Sequence, residues 1–131
     1  MRWRFTAGEA DAPARAREAV RAFAAGQGAD AHTLAGIELC VSEAVSNAVL
    51  HAYCRLGGSG PVEVEAQRPD GYLCVWVRDR GSGMRRRQDS PGLGLGLSLI
   101  SETATELEVN SSPGEGTELV MRFELSGSRV G

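Results

Sequence analysis

The order of the predicted secondary structure is the feature that most constrains this fold. An edge strand at residues 2–6, a helix at about 12–25, a longer helix from Asp30 and a third helix at about 92–105 are interleaved with two hairpins. A doubly wound parallel sheet would need strands and helices to alternate throughout. The observed order instead predicts an α+β two-layer sandwich, with a mixed, mainly antiparallel sheet and about three helices on one face.

Alternating apolar and polar side chains predict both hairpins. In the first, VEVEAQ precedes the turn residues PDG and the apolar strand YLCVWVRD, so Glu63 and Glu65 are expected on a solvated face. The second lies within ELEVNSSPGEGTELVMRFEL. Its expected core-facing residues are Leu107, Val109, Leu119, Met121, Phe123 and Leu125.

The helices differ in how much apolar surface they carry. In the first, Asp11 is expected to cap and Pro13 suits the first turn. The helix from Asp30 is apolar on two sides, which is typical of a helix with one side on the core and the other facing a ligand. Its core stripe is predicted to be Leu34, Ile37, Val41, Val45, Ala48 and Ala52, and its other side to carry Leu39, Cys40, Glu43, Asn47 and Leu50.

Composition limits the kind of protein. The 131 residues fit one domain at 1–131, with a flexible tail expected at 126–131. A net charge of -3 gives no reason to expect a nucleic acid partner. All 14 basic residues are arginine, which excludes a P-loop NTPase because that motif needs a lysine at the β- and γ-phosphates.

The cysteines and the lengths of the apolar runs predict the cellular compartment. Cys40, Cys54 and Cys74 lie in apolar surroundings without C-x-x-C spacing, which predicts buried thiols rather than a disulfide or a zinc site. No signal peptide is evident, and no continuous apolar run approaches the roughly 18 residues of a membrane span. A cytoplasmic protein without membrane contact is therefore expected.

Glu43 and Asn47 form the first chemically suggestive pair. Residues four apart lie one above the other on a helix. An amide oxygen is a suitable ligand for Mg²⁺ shared with phosphates, and a neighbouring carboxylate can take a proton from an attacking hydroxyl. The alternative is an ordinary solvated pair on a helix surface.

Two glycine motifs follow. Asp79 precedes Gly81 and Gly83 after an apolar strand, where a carboxylate can accept a hydrogen bond from an adenine amino group; an ordinary Asp-Gly turn is the alternative. GLGLGL at 92–97 does not fit G-x-G-x-x-G, which weakens the case for a dinucleotide fold. Glycines that open a helix still offer backbone N–H groups to an anion, although a flexible loop is the alternative.

In this order, the motifs resemble those of the GHKL ATPases, which share the Bergerat nucleotide-binding fold. The resemblance is greatest to the anti-sigma-factor serine/threonine kinases. EAVSNAVLHAY at 43–53 is similar to their asparagine box, DRGSG at 79–83 to their first glycine box, and GLGLGL at 92–97 to their second. SSPGEGT at 111–117 also resembles their sequence, so the likeness covers nearly the whole chain.

The resemblance implies ATP and Mg²⁺ as ligands. It assigns the metal to Asn47, the catalytic base to Glu43 and adenine recognition to Asp79. The other residues that it assigns to the nucleotide site are Gly81, Gly83, Gly92, Gly94, Gly96 and Thr117.

The resemblance also implies protein partners. One is a sigma factor that is held inactive, and the other is an anti-anti-sigma protein of the STAS type that is phosphorylated on serine or threonine. Arg17, on the first helix, lies where such proteins present a partner-contacting arginine, although a solvated helix face would look the same. A homodimer is suggested by the same likeness.

A short connection leaves two functions open. Eight residues separate Gly83 from Gly92, fewer than these kinases commonly have in their ATP lid. Arg85, Arg86 and Arg87 are candidates to contact phosphate, with a solvated basic loop as the alternative. The first function is a kinase acting as an anti-sigma factor, and the second is a nucleotide-binding module that sequesters a partner without phosphoryl transfer.

Overall fold

The computed structural model describes residues 1–53, 60–80, 91–112 and 116–125. The predicted tail at 126–131 lies outside the described residues. The elements in chain order are β1 (Arg2–Thr6), α1 (Ala12–Gly26), α2 (Ala31–Asn47), a π-helical turn (Ala48–Tyr53), β2 (Pro61–Gln67), β3 (Tyr72–Asp79), α3 (Pro91–Thr103), β4 (Glu106–Ser112) and β5 (Gly116–Glu124).

The strands form one five-stranded sheet in the order β1-β2-β3-β5-β4. Each of the four pairings is antiparallel, so the sheet of the described residues is not mixed as the sequence predicted. Two hairpins and a returning first strand need no parallel neighbour, which explains the difference. The edge position of β1 and the α+β class are confirmed.

The core lies between the helices and one face of the sheet. It joins alternate side chains of the strands, such as Val64, Val75 and Met121, to apolar side chains of all three helices. On α2, Ile37, Val41 and Val45 have no exposed surface, which confirms the predicted stripe at those positions. Leu34 packs at its margin and Ala48 is buried, while the side chain of Ala52 lies outside the description.

The ends of α1 and α2 show which of the predicted capping and turn residues determine where the helices begin and end. Asp30 accepts a hydrogen bond from the backbone N–H of Thr33 at 2.8 Å and so caps α2. Gly28, with φ of +93°, lets the chain turn out of α1. Asp11 precedes α1 but forms no capping bond, because its φ and ψ of -92° and 4° differ from the extended backbone of a capping residue.

The α2 helix and the turn after it are hydrophobic along most of their length. Ala31–Leu50 is long and apolar enough to cross a membrane when judged by length and composition alone, although no continuous apolar run suggested a span. Fully buried side chains such as Ile37 and Val45 account for part of that character. The core helix of a soluble protein passes the same test, so the segment is weak evidence for a membrane.

The outer face of the sheet, away from the helices, carries an ion-pair cluster centred on Arg78. Its guanidinium contacts Glu63 at 3.0 Å, Glu65 at 2.9 Å and Glu118 at 2.6 Å. Glu65 is therefore only 7% exposed, and the prediction that it is solvated was wrong. A long cation lying across three strands covers a carboxylate that the alternation alone places in solvent.

The Arg78 cluster gives a pH-dependent stability. The hydrogen bond from Arg78 is the main cause that lowers the pKa of Glu65 below its ordinary value of 4.5, with Gln67 and Arg2 adding to it against the opposing effect of burial. A depressed folded-state pKa stabilises the fold at pH values above the unfolded pKa. This contribution is lost as the pH falls through the folded pKa.

Replacing Arg78 with methionine is expected to lower the free energy of unfolding by about 2 kcal/mol at neutral pH, since it removes hydrogen bonds to charged groups. Thermal unfolding of both proteins between pH 3 and pH 7, values roughly bracketing carboxylate titration, measures this. The difference in the free energy of unfolding should shrink as the pH falls from the ordinary pKa of 4.5 toward the lower folded-state pKa of Glu65. Arg122→Met is the control, because Arg122 forms an exposed ion pair with Glu106. A pH-independent difference would contradict the assignment to Glu65.

Candidate functional site

Glu43 and Asn47 lie on the last two turns of α2, on the side away from the core. Both are half-buried, and they are one helical turn apart. The exposed apolar residues of this side are Leu39, at 40% exposure, and Leu50, at 55% exposure. A half-buried polar pair between exposed leucines is a surface on which a partly apolar ligand can lie.

The amide of Asn47 has an unusual environment. Its Nδ2 atom is buried and has no hydrogen-bond partner within the described residues. A buried polar group without a partner is costly, and in native proteins it commonly marks a ligand or water position. Asn47 therefore fits a site in which a bound group supplies the missing contact.

The helix changes geometry immediately after Asn47. Ala48–Tyr53 is π-helical, and π-helical turns inside α-helices occur often at functional sites. This turn contacts β3, the strand that ends at Asp79. The fold thus brings the Glu43–Asn47 end of α2 against the strand carrying the third candidate residue.

Cys40 does not belong to this surface, contrary to the prediction. It has no exposed surface and joins the core, because it lies one turn from both Ile37 and Ala44 on the buried side. Burial, assisted by the negative charge of Glu43, raises the pKa of the Cys40 thiol to about 12. Cys40 and Cys74 are buried free thiols as predicted, and Cys54 lies outside the described residues.

Asp79 is the last residue of β3 and is half-buried. It is paired with Thr117 on β5, which is paired in turn with Ser111 on β4. Residues opposite one another in neighbouring antiparallel strands share a face of the sheet, and this row shares the face that bears the core residues Val77 and Leu119. The carboxylate and two hydroxyls therefore stand on the helix side.

Gly116 is a site residue that the sequence reasoning did not single out. Its φ is +91°, and a Cβ atom built on it would stand 2.1 Å from the carbonyl oxygen of Asp79. No other residue type fits there without moving the end of β3. The glycine directly before Thr117, at the start of a predicted strand, was the available signal.

The glycine-rich segment opens α3, as predicted. Gly92, Gly94 and Gly96 occupy the first turns of Pro91–Thr103. Gly36, near the start of α2, approaches Thr103 so closely that a Cβ atom would meet its methyl group at 3.2 Å. α2 and α3 pack together, and this contact places the end of α3 against the first part of α2.

The remaining sequence candidates are the two glycines after Asp79, the three consecutive arginines and Arg17. Gly81, Gly83 and Arg85, Arg86 and Arg87 lie outside the described residues. Arg17 is half-buried on α1, which packs against α2, β1 and β2. The prediction that Arg17 contacts a partner remains a prediction.

Val109 is 39% exposed rather than buried as predicted, because β4 is an edge strand with a neighbour on one side only.

Within the described residues, no group of three or more histidine, cysteine, aspartate or glutamate residues could hold a metal ion. Mg²⁺ commonly keeps several waters and shares substrate phosphates, so a site with few protein ligands is compatible with that ion.

Comparison with known proteins agrees with this fold. The family model of the histidine kinase-like ATPase domain matches residues 5–123. An anti-sigma F factor from Pasteuria penetrans is 33% identical over 125 residues, which cover 87% of this chain and 83% of that protein. A second, from Caldanaerobacter subterraneus subsp. tengcongensis, is 33% identical over 125 residues, which cover 87% of this chain and 86% of that protein.

A solved structure shows the same fold. The chain containing the RsbU and RsbW domains of Rv1364c from Mycobacterium tuberculosis superposes with a TM-score of 0.72 at 27% identity. The match covers 95% of this chain and 32% of the solved one, so this chain spans about a third of that length. The fold and the α2 and β3 motifs define an ATPase of the GHKL class. Within that class, the chain belongs to the anti-sigma-factor family.

Proposed function

We propose that the protein is an ATP-binding anti-sigma factor that phosphorylates an anti-anti-sigma protein of the STAS type on serine or threonine. The observation that carries this proposal is the buried Nδ2 atom of Asn47, which has no hydrogen-bond partner among the described residues. Asn47 lies one turn from Glu43, and the π-helical turn that follows it contacts the strand that ends at Asp79. Relatives named anti-sigma F factor support the regulatory part.

Each candidate residue has its own role in the proposed reaction. Asp79 accepts a hydrogen bond from the adenine amino group, and the N–H groups at the start of α3 bind phosphate oxygens. Asn47 would hold Mg²⁺ through its amide oxygen, and the ion would neutralise charge on the phosphates. Glu43 takes the proton of the substrate hydroxyl as its oxygen bonds to the γ-phosphorus, while the bond from that phosphorus to the bridging oxygen breaks and ADP leaves.

Partner binding is proposed for α1. Arg17, half-buried on that helix, is the candidate contact. The proposal includes a homodimer and a cytoplasmic location, because sigma factors act in the cytoplasm. A net charge of -3 favours protein partners over nucleic acid.

The eight-residue connection between Gly83 and Gly92 favours a second candidate, a nucleotide-binding module that sequesters its partner without transferring phosphate. Incubating the protein with γ-labelled ATP, Mg²⁺ and the STAS-type proteins of its own source separates the two. The kinase is expected to label one of them on serine or threonine. Nucleotide binding and sigma-factor capture without label would support the module instead.

A further inference from the structure

Leu39 is a large apolar side chain in contact with solvent on the outward side of α2. Within the described residues, the exposed large hydrophobic side chains are Met1, Leu39, Leu50 and Val109. Leu39 is 40% exposed and lies one helical turn before Glu43, on the same side of the helix. A single exposed leucine is ordinary on a soluble protein, so its position beside Glu43 is the informative observation.

The order of residues along α2 separates a nucleotide side from an acceptor side. The proposed metal ligand Asn47 lies one turn after Glu43, whereas Leu39 lies one turn before it, about 12 Å along the helix from Asn47. An attacking hydroxyl must come within about 3 Å of the Glu43 carboxylate while it faces the phosphate. The rest of the acceptor molecule then extends away from Asn47 and over Leu39.

The outward side of α2 continues beyond Leu39 toward the start of the helix. Ala35 and His32 follow at spacings of four and three residues, and both are exposed. We call His32, Ala35 and Leu39 the acceptor strip. Its length of about 10 Å along the helix equals that of about three residues of extended chain. The strip can therefore contact a short segment of a protein whose hydroxyl reaches Glu43.

Charge restricts what can lie on the acceptor strip. Glu38, on the flank of α2, pairs with Arg21 at 3.6 Å, whereas Glu43 forms no ion pair in the described part of the chain. The uncompensated carboxylate of Glu43 repels an acidic segment at close range. Charge complementarity therefore favours a segment that has an apolar side chain for Leu39 and no acidic residue beside its hydroxyl.

We propose that the acceptor strip docks the segment of the STAS-type protein that carries the phosphorylated serine or threonine. An apolar side chain next to that hydroxyl covers Leu39, and this contact holds the hydroxyl at Glu43. Leu39 is then a specificity-determining residue that contacts the protein substrate. This inference rests on the proposed function and names the chemistry of its substrate around the phosphorylated residue.

Rates of label transfer from γ-labelled ATP, measured over a range of acceptor concentrations, test the role of Leu39. The acceptor is the STAS-type protein that becomes labelled in the incubation described above. Leu39→Ala is expected to raise the KM for this acceptor about 3- to 10-fold, because the exposed part of the leucine is no longer there to be covered. The kcat and the calorimetric ATP affinity should stay near parental, since only binding of the acceptor is weakened. Leu39→Met, which keeps an apolar side chain of similar volume, should retain the parental KM.

Two comparisons separate docking from a general effect on the fold. Val109→Ala is the matched control, because Val109 is 39% exposed but belongs to the edge strand β4. Its KM should be parental. The second comparison truncates, one at a time, the apolar residues that flank the labelled hydroxyl of the acceptor. One of these changes should cost less affinity against Leu39→Ala than against the parental protein, since the two side chains cover each other.

Three results would overturn the inference and leave the proposed function standing, because the acceptor is still labelled. They are an unchanged KM in Leu39→Ala, an equal rise of KM in Val109→Ala, and additive losses for every flanking residue of the acceptor. Absence of label from every STAS-type protein would instead overturn the proposed kinase activity, and the inference with it.

Discussion

Replacing Glu43 with glutamine is expected to slow phosphoryl transfer about 10²- to 10⁴-fold, the usual contribution of a positioned general base. Glutamine keeps the size of the side chain and loses the group that takes the proton. ATP affinity should remain within about twofold, because the adenine and phosphate contacts come from other residues. Single-turnover transfer of label and calorimetric ATP binding measure the two effects separately.

Glu38→Gln is the control for this substitution. Glu38 is also half-buried on α2, where it pairs with Arg21 at 3.6 Å, outside the predicted site. It should transfer phosphate at the parental rate. A parental rate for Glu43→Gln would assign proton transfer to a different group.

Replacing Gly116 with alanine is expected to abolish tight nucleotide binding and to destabilise the fold by about 3 kcal/mol or more, because strained backbone and a steric clash combine. The added Cβ atom would stand 2.1 Å from the Asp79 carbonyl oxygen and 3.0 Å from the Arg80 Cα atom. The end of β3 must move, and the Asp79 carboxylate moves with it. Chemical denaturation and ADP titration of the same protein measure both consequences.

Gly28 offers a control that isolates the clash. Its φ of +93° matches that of Gly116, but a Cβ atom built on Gly28 would meet nothing within 4 Å. Gly28→Ala should therefore show the backbone cost alone, about 1–2 kcal/mol, with parental nucleotide affinity. Equal losses of stability and affinity in both variants would contradict the proposed dependence of the Asp79 position on Gly116.

Much of the fold could be predicted because its signals are local. The alternation in VEVEAQ, the cap at Asp30 and the helical stripe of Ile37, Val41 and Val45 each depend on near neighbours in the chain. The order of elements then left few ways to cover the apolar faces. The motifs likewise predicted Asn47 on the second helix and Asp79 at a strand end, and both residues lie there in the structure.

The errors concern contacts between distant segments. Glu65 is buried because Arg78, 13 residues away, lies across it. Val109 is exposed because β4 has no outer neighbour in the sheet formed by the described residues, which depends on strand order rather than on alternation. The sequence predicts Cys40 on the ligand side because it is near Glu43, but the Cys40 side chain packs in the core.

The site shows the same division. Glu43 and Asn47 were evident because an i, i+4 pair is visible in the sequence. Ser111 and Gly116 acquire meaning only when β4, β5 and β3 are side by side, since their partners are Thr117 and the Asp79 carbonyl. Cross-strand relations of this kind are not visible from spacing in one sequence.

ATP binding through Asp79 is the central claim. Calorimetric titration of the parental protein and of Asp79→Asn with ATP in the presence of Mg²⁺ tests it most directly. The parental protein is expected to bind one ATP, and Asp79→Asn to bind it about 10- to 100-fold more weakly, because a charged acceptor is partly replaced by a donor. Equal affinity of the two proteins for ATP, or no binding by the parental protein, would contradict the claim.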